Sequence, residues 1–127
     1  MAEWNFWAGW VGMLLGLVSG AVIGLGFHKD EFAGGYASFR RRLLRLGHIA
    51  FFALGMLNVL FALTLIGSSV VPGSPAVASA RLAVGGFAMP LVCFLTAWKK
   101  SFRHAFAVPV ILVAIPLVLL LEGMVHT

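Results

Sequence analysis

Two histidines are the residues of this chain best placed to do chemistry. His48 lies about one turn inside an apolar stretch, and His104 stands at the start of another. Imidazole nitrogens are axial ligands of haem iron. Two histidines on diagonal helices of a four-helix bundle could share such an iron, because neighbouring axes lie only about 8–10 Å apart. Gly55, seven residues after His48 and on nearly the same helix face, would leave space for a flat macrocycle. These residues make b-type haem one cofactor hypothesis.

The same positions allow other interpretations. His104 directly follows Arg103, and an interfacial histidine beside an arginine is typical of a contact with water or with lipid phosphate. His48 could form a hydrogen bond within the bundle or bind the headgroup of a quinone. Asn58, near the middle of the same stretch, is expected to form an interhelical hydrogen bond. A contact between Asn58 and a ligand or cofactor is the alternative.

Several other chemistries are disfavoured. The chain has one cysteine, Cys93, and no HExxH motif, so we expect no metal site beyond a haem iron. Hydrolytic triads need an acid close to the histidines in the core, and the cytoplasmic half holds no Asp or Glu apart from Asp30 and Glu31. Ion-coupled transport needs an ionisable residue near the membrane midplane, and none of the four acids lies there. We therefore expect no enzymatic activity of the chain on its own. An oligomeric channel or exporter is the weakest of the alternatives.

The residues that would position these side chains are overwhelmingly apolar. Of 127 residues, 61% are hydrophobic and 10% are charged, which is typical of an integral membrane protein rather than of a water-soluble domain. Four apolar stretches have about the 20 residues that a membrane-spanning helix needs. The sequence therefore predicts an all-α, four-helix transmembrane bundle with short loops, forming one domain over residues 1–127. The predicted spans are residues 6–27, 46–66, 78–98 and 105–125.

Basic residues give the predicted bundle a direction. Eight of the nine Lys and Arg residues fall in the first and third connections, and only Arg81 lies elsewhere. Lys and Arg accumulate in cytoplasmic loops, so both termini are predicted to lie outside, most simply across a bacterial cytoplasmic (inner) membrane. The net charge of +5 is expected to favour contact with anionic lipid. Nucleic-acid binding is not expected. The residues predicted to contact lipid phosphates are Arg40, Arg41, Arg42, Arg45, Lys99, Lys100 and Arg103.

A ladder of small residues runs along the first predicted span. Gly12, Gly16, Gly20 and Gly24 recur every four residues, with Ser19 beside them. Small residues at this spacing, often called a glycine zipper, let a second helix backbone approach closely. The ladder therefore predicts a helix-packing face, which could lie within one chain or between two copies.

One ion pair is predicted near the extracytoplasmic ends of the last two spans. Arg81 lies near the start of the third span, and Glu122 lies near the end of the fourth. Each would otherwise be an isolated charge at the membrane edge, so we expect the two side chains to pair.

Two function classes follow from these observations. The first is a small non-catalytic subunit, or an assembly or accessory factor, of a larger membrane complex such as a respiratory one. Its partners would be the lipid bilayer and other membrane subunits, or further copies of the same chain. The second is a redox protein that holds b-type haem or quinone between the cytoplasmic ends of spans two and four.

Overall fold

The chain folds into four long helices. The structure is a computed structural model that describes residues 1–70 and 72–126; Val71, in the second connection, and Thr127 lie outside the described residues. The helices, in chain order, are α1 (Ala2–Phe27), α2 (Phe39–Gly67), α3 (Pro75–Trp98) and α4 (Ala107–Val125). Short 3-10 helices occupy Phe32–Gly34 and Lys100–Phe106.

The predicted all-helical, four-span architecture is confirmed at the level of helix length and composition. Each of the four helices is long and apolar enough to cross a membrane, the fourth when counted together with the 3-10 helix before it. The described residues contain no β-strand. Backbone groups in hydrocarbon must be satisfied within their own segment, and a helix does this for nearly all of them.

α2 begins seven residues earlier than the predicted span because of its cap. The Ser38 hydroxyl accepts a hydrogen bond from the Arg41 backbone N–H at 3.1 Å, which satisfies one of the unpaired donors of the first turn. The chain before Ser38 cannot continue the helix, since Gly34 and Gly35 have φ values of +87° and +93°, a region that favours glycine. The resulting helix of 29 residues is about 43 Å long at 1.5 Å per residue, so it extends beyond about 30 Å of hydrocarbon.

Consecutive helices are antiparallel. Near one end of the bundle Gly9 packs against Gly55 and Val59, whereas Gly20, further along α1, meets His48. The α1–α2 and α3–α4 connections therefore share one end, called the basic end here, and the termini and the α2–α3 connection share the other, called the far end. α1, α2 and α3 contact one another, while α4 packs mainly against α3. A cluster of buried apolar residues near the far end includes Phe61, Leu82 and Leu120, which belong to α2, α3 and α4.

Candidate functional site

A buried cluster of polar groups joins three helices toward the far end of the bundle. The Asn5 amide of α1 donates to Asn58 Oδ1 of α2 at 2.7 Å and to the backbone carbonyl of Ser79 in α3 at 3.1 Å. Asn5 and Asn58 are 0% and 2% exposed. The Asn58 amide in turn donates to Leu54 O of its own helix and to Leu82 O of α3. Asn58 thus forms the expected interhelical hydrogen bond.

Asn5 is the residue of this cluster that the sequence analysis did not single out. It lies among tryptophans at the edge of the first predicted span, where a polar side chain is common and does not indicate a buried site. Its spacing from the glycines of α1 could have identified it. Asn5, Gly9, Gly12 and Gly16 follow one another at spacings of four, three and four, and all four are buried, so Asn5 continues the packing face of α1.

The predicted glycine face of α1 packs within the chain along most of its length. A methyl group added to Gly16 would lie 3.0 Å from the backbone nitrogen of Phe52, and one on Gly12 would lie 3.4 Å from the Gly55 Cα. The face is therefore filled by α2 and is closed to a second chain there. Gly24 is different, because nothing lies within 4 Å of the corresponding position. The Ser19 hydroxyl donates to Gly16 O of its own helix.

Gly55 belongs to the same α1–α2 contact. A methyl group at Gly55 would lie 2.7 Å from the Gly9 carbonyl oxygen and 2.8 Å from the Met13 backbone nitrogen. The space that the sequence analysis reserved for a macrocycle is thus occupied by the backbone of α1. Without a Cβ on either Gly9 or Gly55, the two helices approach almost backbone to backbone.

The two histidines predicted as haem ligands lie in different surroundings. The imidazole of His48 faces α1, because a methyl group on Gly20 would lie 3.0 Å from its Cδ2 and 3.5 Å from its Nε2. His104 is exposed in the 3-10 helix that precedes α4. The helix that follows His104, α4, packs mainly against α3. Haem binding by His48 and His104 stays a prediction.

His48 also borders a groove that opens between α1 and α2. The groove has a volume of about 340 Å³, and its other walls are apolar residues such as Leu17, Ile49 and Met56. The Nδ1 atom of His48 is buried and makes no hydrogen bond. Quinone binding at His48 stays a prediction. Elsewhere in the described ranges, no three His, Cys, Asp or Glu side chains are grouped so that they could hold a metal ion.

No protein-family model, curated protein or solved structure matches this chain.

The seven basic residues predicted to contact lipid phosphates do not behave alike. Arg41 is 4% exposed, and its guanidinium donates to the carbonyl oxygens of Phe27 at 2.9 Å and of Asp30 at 3.4 Å. It also lies 4.4 Å from the centroid of the Phe27 ring. Phe27 ends α1, so this cation satisfies a carbonyl left unpaired at the helix end and complements the helix dipole. Arg41 is therefore a helix cap and not a phosphate contact, which corrects the prediction for this residue.

Arg45 also contacts the first connection. Its guanidinium lies 4.5 Å from the centroid of the Tyr36 ring and donates to Tyr36 O at 3.4 Å. Together with Arg41 it ties this connection to α2, since Arg41 lies 5.7 Å from the same ring. The remaining five basic residues are exposed, as a phosphate contact requires: Arg40, Arg42, Lys99, Lys100 and Arg103.

Replacing Arg41 by Gln is expected to destabilise the fold. The change removes a charged donor from the end of α1, and a hydrogen bond to a charged group contributes about 1.5–3 kcal/mol. The free energy of unfolding, measured in mixed detergent micelles, should fall by about that amount. The matched control is Arg42→Gln, one residue away and exposed, which should change it by less than about 0.5 kcal/mol. Equal losses in the two variants would contradict the capping role.

The predicted Arg81–Glu122 ion pair is not formed. Both side chains are exposed, and no hydrogen bond or ion pair joins them among the described residues. Long charged side chains at a membrane edge can reach water instead of each other, which removes the reason for pairing. Cys93 is also buried.

Proposed function

We propose that this protein is a non-catalytic accessory subunit of a larger membrane complex. The supporting observation is how its buried polar side chains are used. Asn5 and Asn58 join three helices, while Thr96 donates to the carbonyl oxygen four residues before it in its own helix. Such bonds fix packing and open no polar path through the bundle. This arrangement suits a rigid scaffold better than a transporter.

The proposal includes an orientation in the membrane. Eight of the nine Lys and Arg residues belong to the basic end, so we place that end in the cytoplasm and both termini outside a bacterial cytoplasmic membrane. Trp4, Trp7 and Trp10 at the far end and Trp98 at the basic end are all exposed. Exposed indoles near both ends of the helices are typical of the two membrane interfaces.

We assign α4 as the helix of this chain that contacts the partner subunit. One side of it packs on α3, where Val113 and Leu112 meet Gly85. The opposite side carries a stripe of exposed residues at alternating spacings of four and three, which places them on one face of the helix. Alanines at two of its positions would allow close approach. The stripe consists of Ala107, Ile111, Ala114, Val118, Leu121 and Val125.

A photo-crosslinking amino acid placed at Ala114 tests this assignment. In the native membrane it should give an adduct of one defined mass with a different membrane protein. The matched control is Leu14, near the middle of α1 and exposed, which should react with lipid alone. Lipid adducts at both positions would reject α4 as the partner surface, and an adduct between two copies of this chain would replace the subunit proposal by self-association.

A further inference from the structure

Two adjoining cavities lie where the start of α2 meets the end of α3, at the basic end. The first has a volume of about 300 Å³, and its lining includes Phe39, Arg40 and Lys100. The second has a volume of about 230 Å³ and is lined by Leu44 and Phe94 in addition to shared residues. Arg40, Ala97 and Trp98 belong to both linings, so the cavity that carries the two cations adjoins the more apolar one.

Two cations of the first cavity are held in place but keep free donors. Arg40 Nε donates to Ala97 O at 2.9 Å, which anchors the guanidinium at the end of α3. Its other N–H groups make no hydrogen bond to a described residue. Lys100 Nζ lies 5.3 Å from the centroid of the Phe39 ring, a cation–π distance that fixes the ammonium without using its hydrogens. The hydroxyl of Ser38, also in the lining, is committed to the helix cap and to Ala33 O.

We propose that these cavities form a binding site for one anionic phospholipid. The phosphate would lie between Arg40 and Lys100, and an acyl chain would run along Leu44 and Phe94. Charge complementarity selects an anionic headgroup, because two cations line the first cavity and no acid does. The apolar continuation selects a lipid over a free phosphate, since only a lipid fills both parts. Trp98, shared by both, is the kind of residue that lies at headgroup depth.

This site is independent of the proposed subunit role. It depends only on the basic end lying at a membrane surface, and it would persist if α4 met no partner. The proposal assigns lipid binding to Arg40 and Lys100 and not to the basic residues beside them. Arg42 and Lys99 are exposed at the same end but line neither cavity.

Native mass spectrometry of the purified full-length protein in detergent tests the site. Phosphatidylglycerol, phosphatidylcholine and glycerol 3-phosphate are titrated separately. We expect one phosphatidylglycerol to bind about tenfold more tightly than phosphatidylcholine, and glycerol 3-phosphate not to bind over the same range. Arg40→Gln and Lys100→Gln should each lower the affinity for phosphatidylglycerol about fivefold, the effect expected of one basic residue near a membrane surface. Arg42→Gln and Lys99→Gln should weaken it less than about twofold.

Three results would overturn the proposal. Equal weakening by all four variants would mean that only the overall charge of the basic end attracts the lipid. Equal binding of the two phospholipids would show that the site does not select an anionic headgroup. Binding of glycerol 3-phosphate as tight as that of the lipid would show that no acyl chain contributes to binding. The Lys100 side chain makes no hydrogen bond to the described residues, so Lys100→Gln keeps the test valid even if Arg40→Gln disturbs the helix end.

Discussion

Gly55→Ala, which adds a single methyl group between α1 and α2, should strongly destabilise this protein. That methyl would lie 2.7 Å from the Gly9 carbonyl oxygen and 2.8 Å from the Met13 backbone nitrogen, and backbone atoms cannot move aside as a flexible side chain can. Overpacking of this kind costs about 1–3 kcal/mol and occasionally more. We expect the free energy of unfolding in mixed micelles to fall by about 3 kcal/mol, with loss of the α1–α2 contact.

Gly24→Ala is the matched control for this prediction. Gly24 is on α1, the helix that Gly55 contacts, and belongs to the ladder of small residues there, yet nothing lies within 4 Å of its added methyl. Alanine favours a helix over glycine by up to about 1 kcal/mol, so this variant should be as stable as the parent or slightly more so. Equal destabilisation by Gly55→Ala and Gly24→Ala would contradict the close approach of α1 and α2. A loss in Gly24→Ala that depends on protein concentration would instead indicate a contact between chains.

Asn5 and Asn58 should be energetically coupled. Asn5→Ala leaves Asn58 Oδ1 without its 2.7 Å donor, and Asn58→Ala leaves the Asn5 amide with the Ser79 carbonyl alone. Leaving a buried polar group unpaired costs about 1–3 kcal/mol, so each single variant should lose stability on that scale.

A double-mutant cycle separates this bond from simple loss of packing. The double variant should be more stable than the sum of the two losses by about 0.5–1.5 kcal/mol, the range seen for hydrogen bonds between membrane helices. A suitable control pair is Asn5→Ala with Thr64→Ala. Thr64 bonds only to Leu60 O and Ser68 within its own stretch of chain, so the pair should be additive. Additivity of the Asn5 and Asn58 variants would show that the bond does not hold α1 to α2.

Much of the fold could be predicted because hydropathy and capping act locally. Each helix carries enough apolar residues to be recognised from the sequence, and Ser38 caps the first turn of α2, a position that serine favours. The interhelical bond of Asn58 could also be expected, because an amide in the middle of an apolar helix has few other partners.

The rest depends on contacts between distant residues, which a single sequence does not encode locally. Arg41 reads as one basic residue in a run of three, and only the fold of the first connection brings Phe27 O to its guanidinium. The haem hypothesis assumed that α2 and α4 are diagonal and face a shared centre. In the structure α1 occupies the face of α2 that carries His48 and Gly55. The close packing of Gly9 on Gly55 places α1 against this face of α2. That packing depends on residues of both helices, so the sequence of one helix alone does not predict it.

The proposed subunit role is tested most directly by the mass of the particle in which the chain resides. The protein should be extracted from its native membrane together with the surrounding lipid, without detergent, and weighed by native mass spectrometry. We expect a discrete assembly that contains this chain and a different membrane protein in a fixed ratio, and that loses the partner when Ala114 is replaced by Trp. A particle that holds only this chain and lipid, as one copy or several, would contradict it.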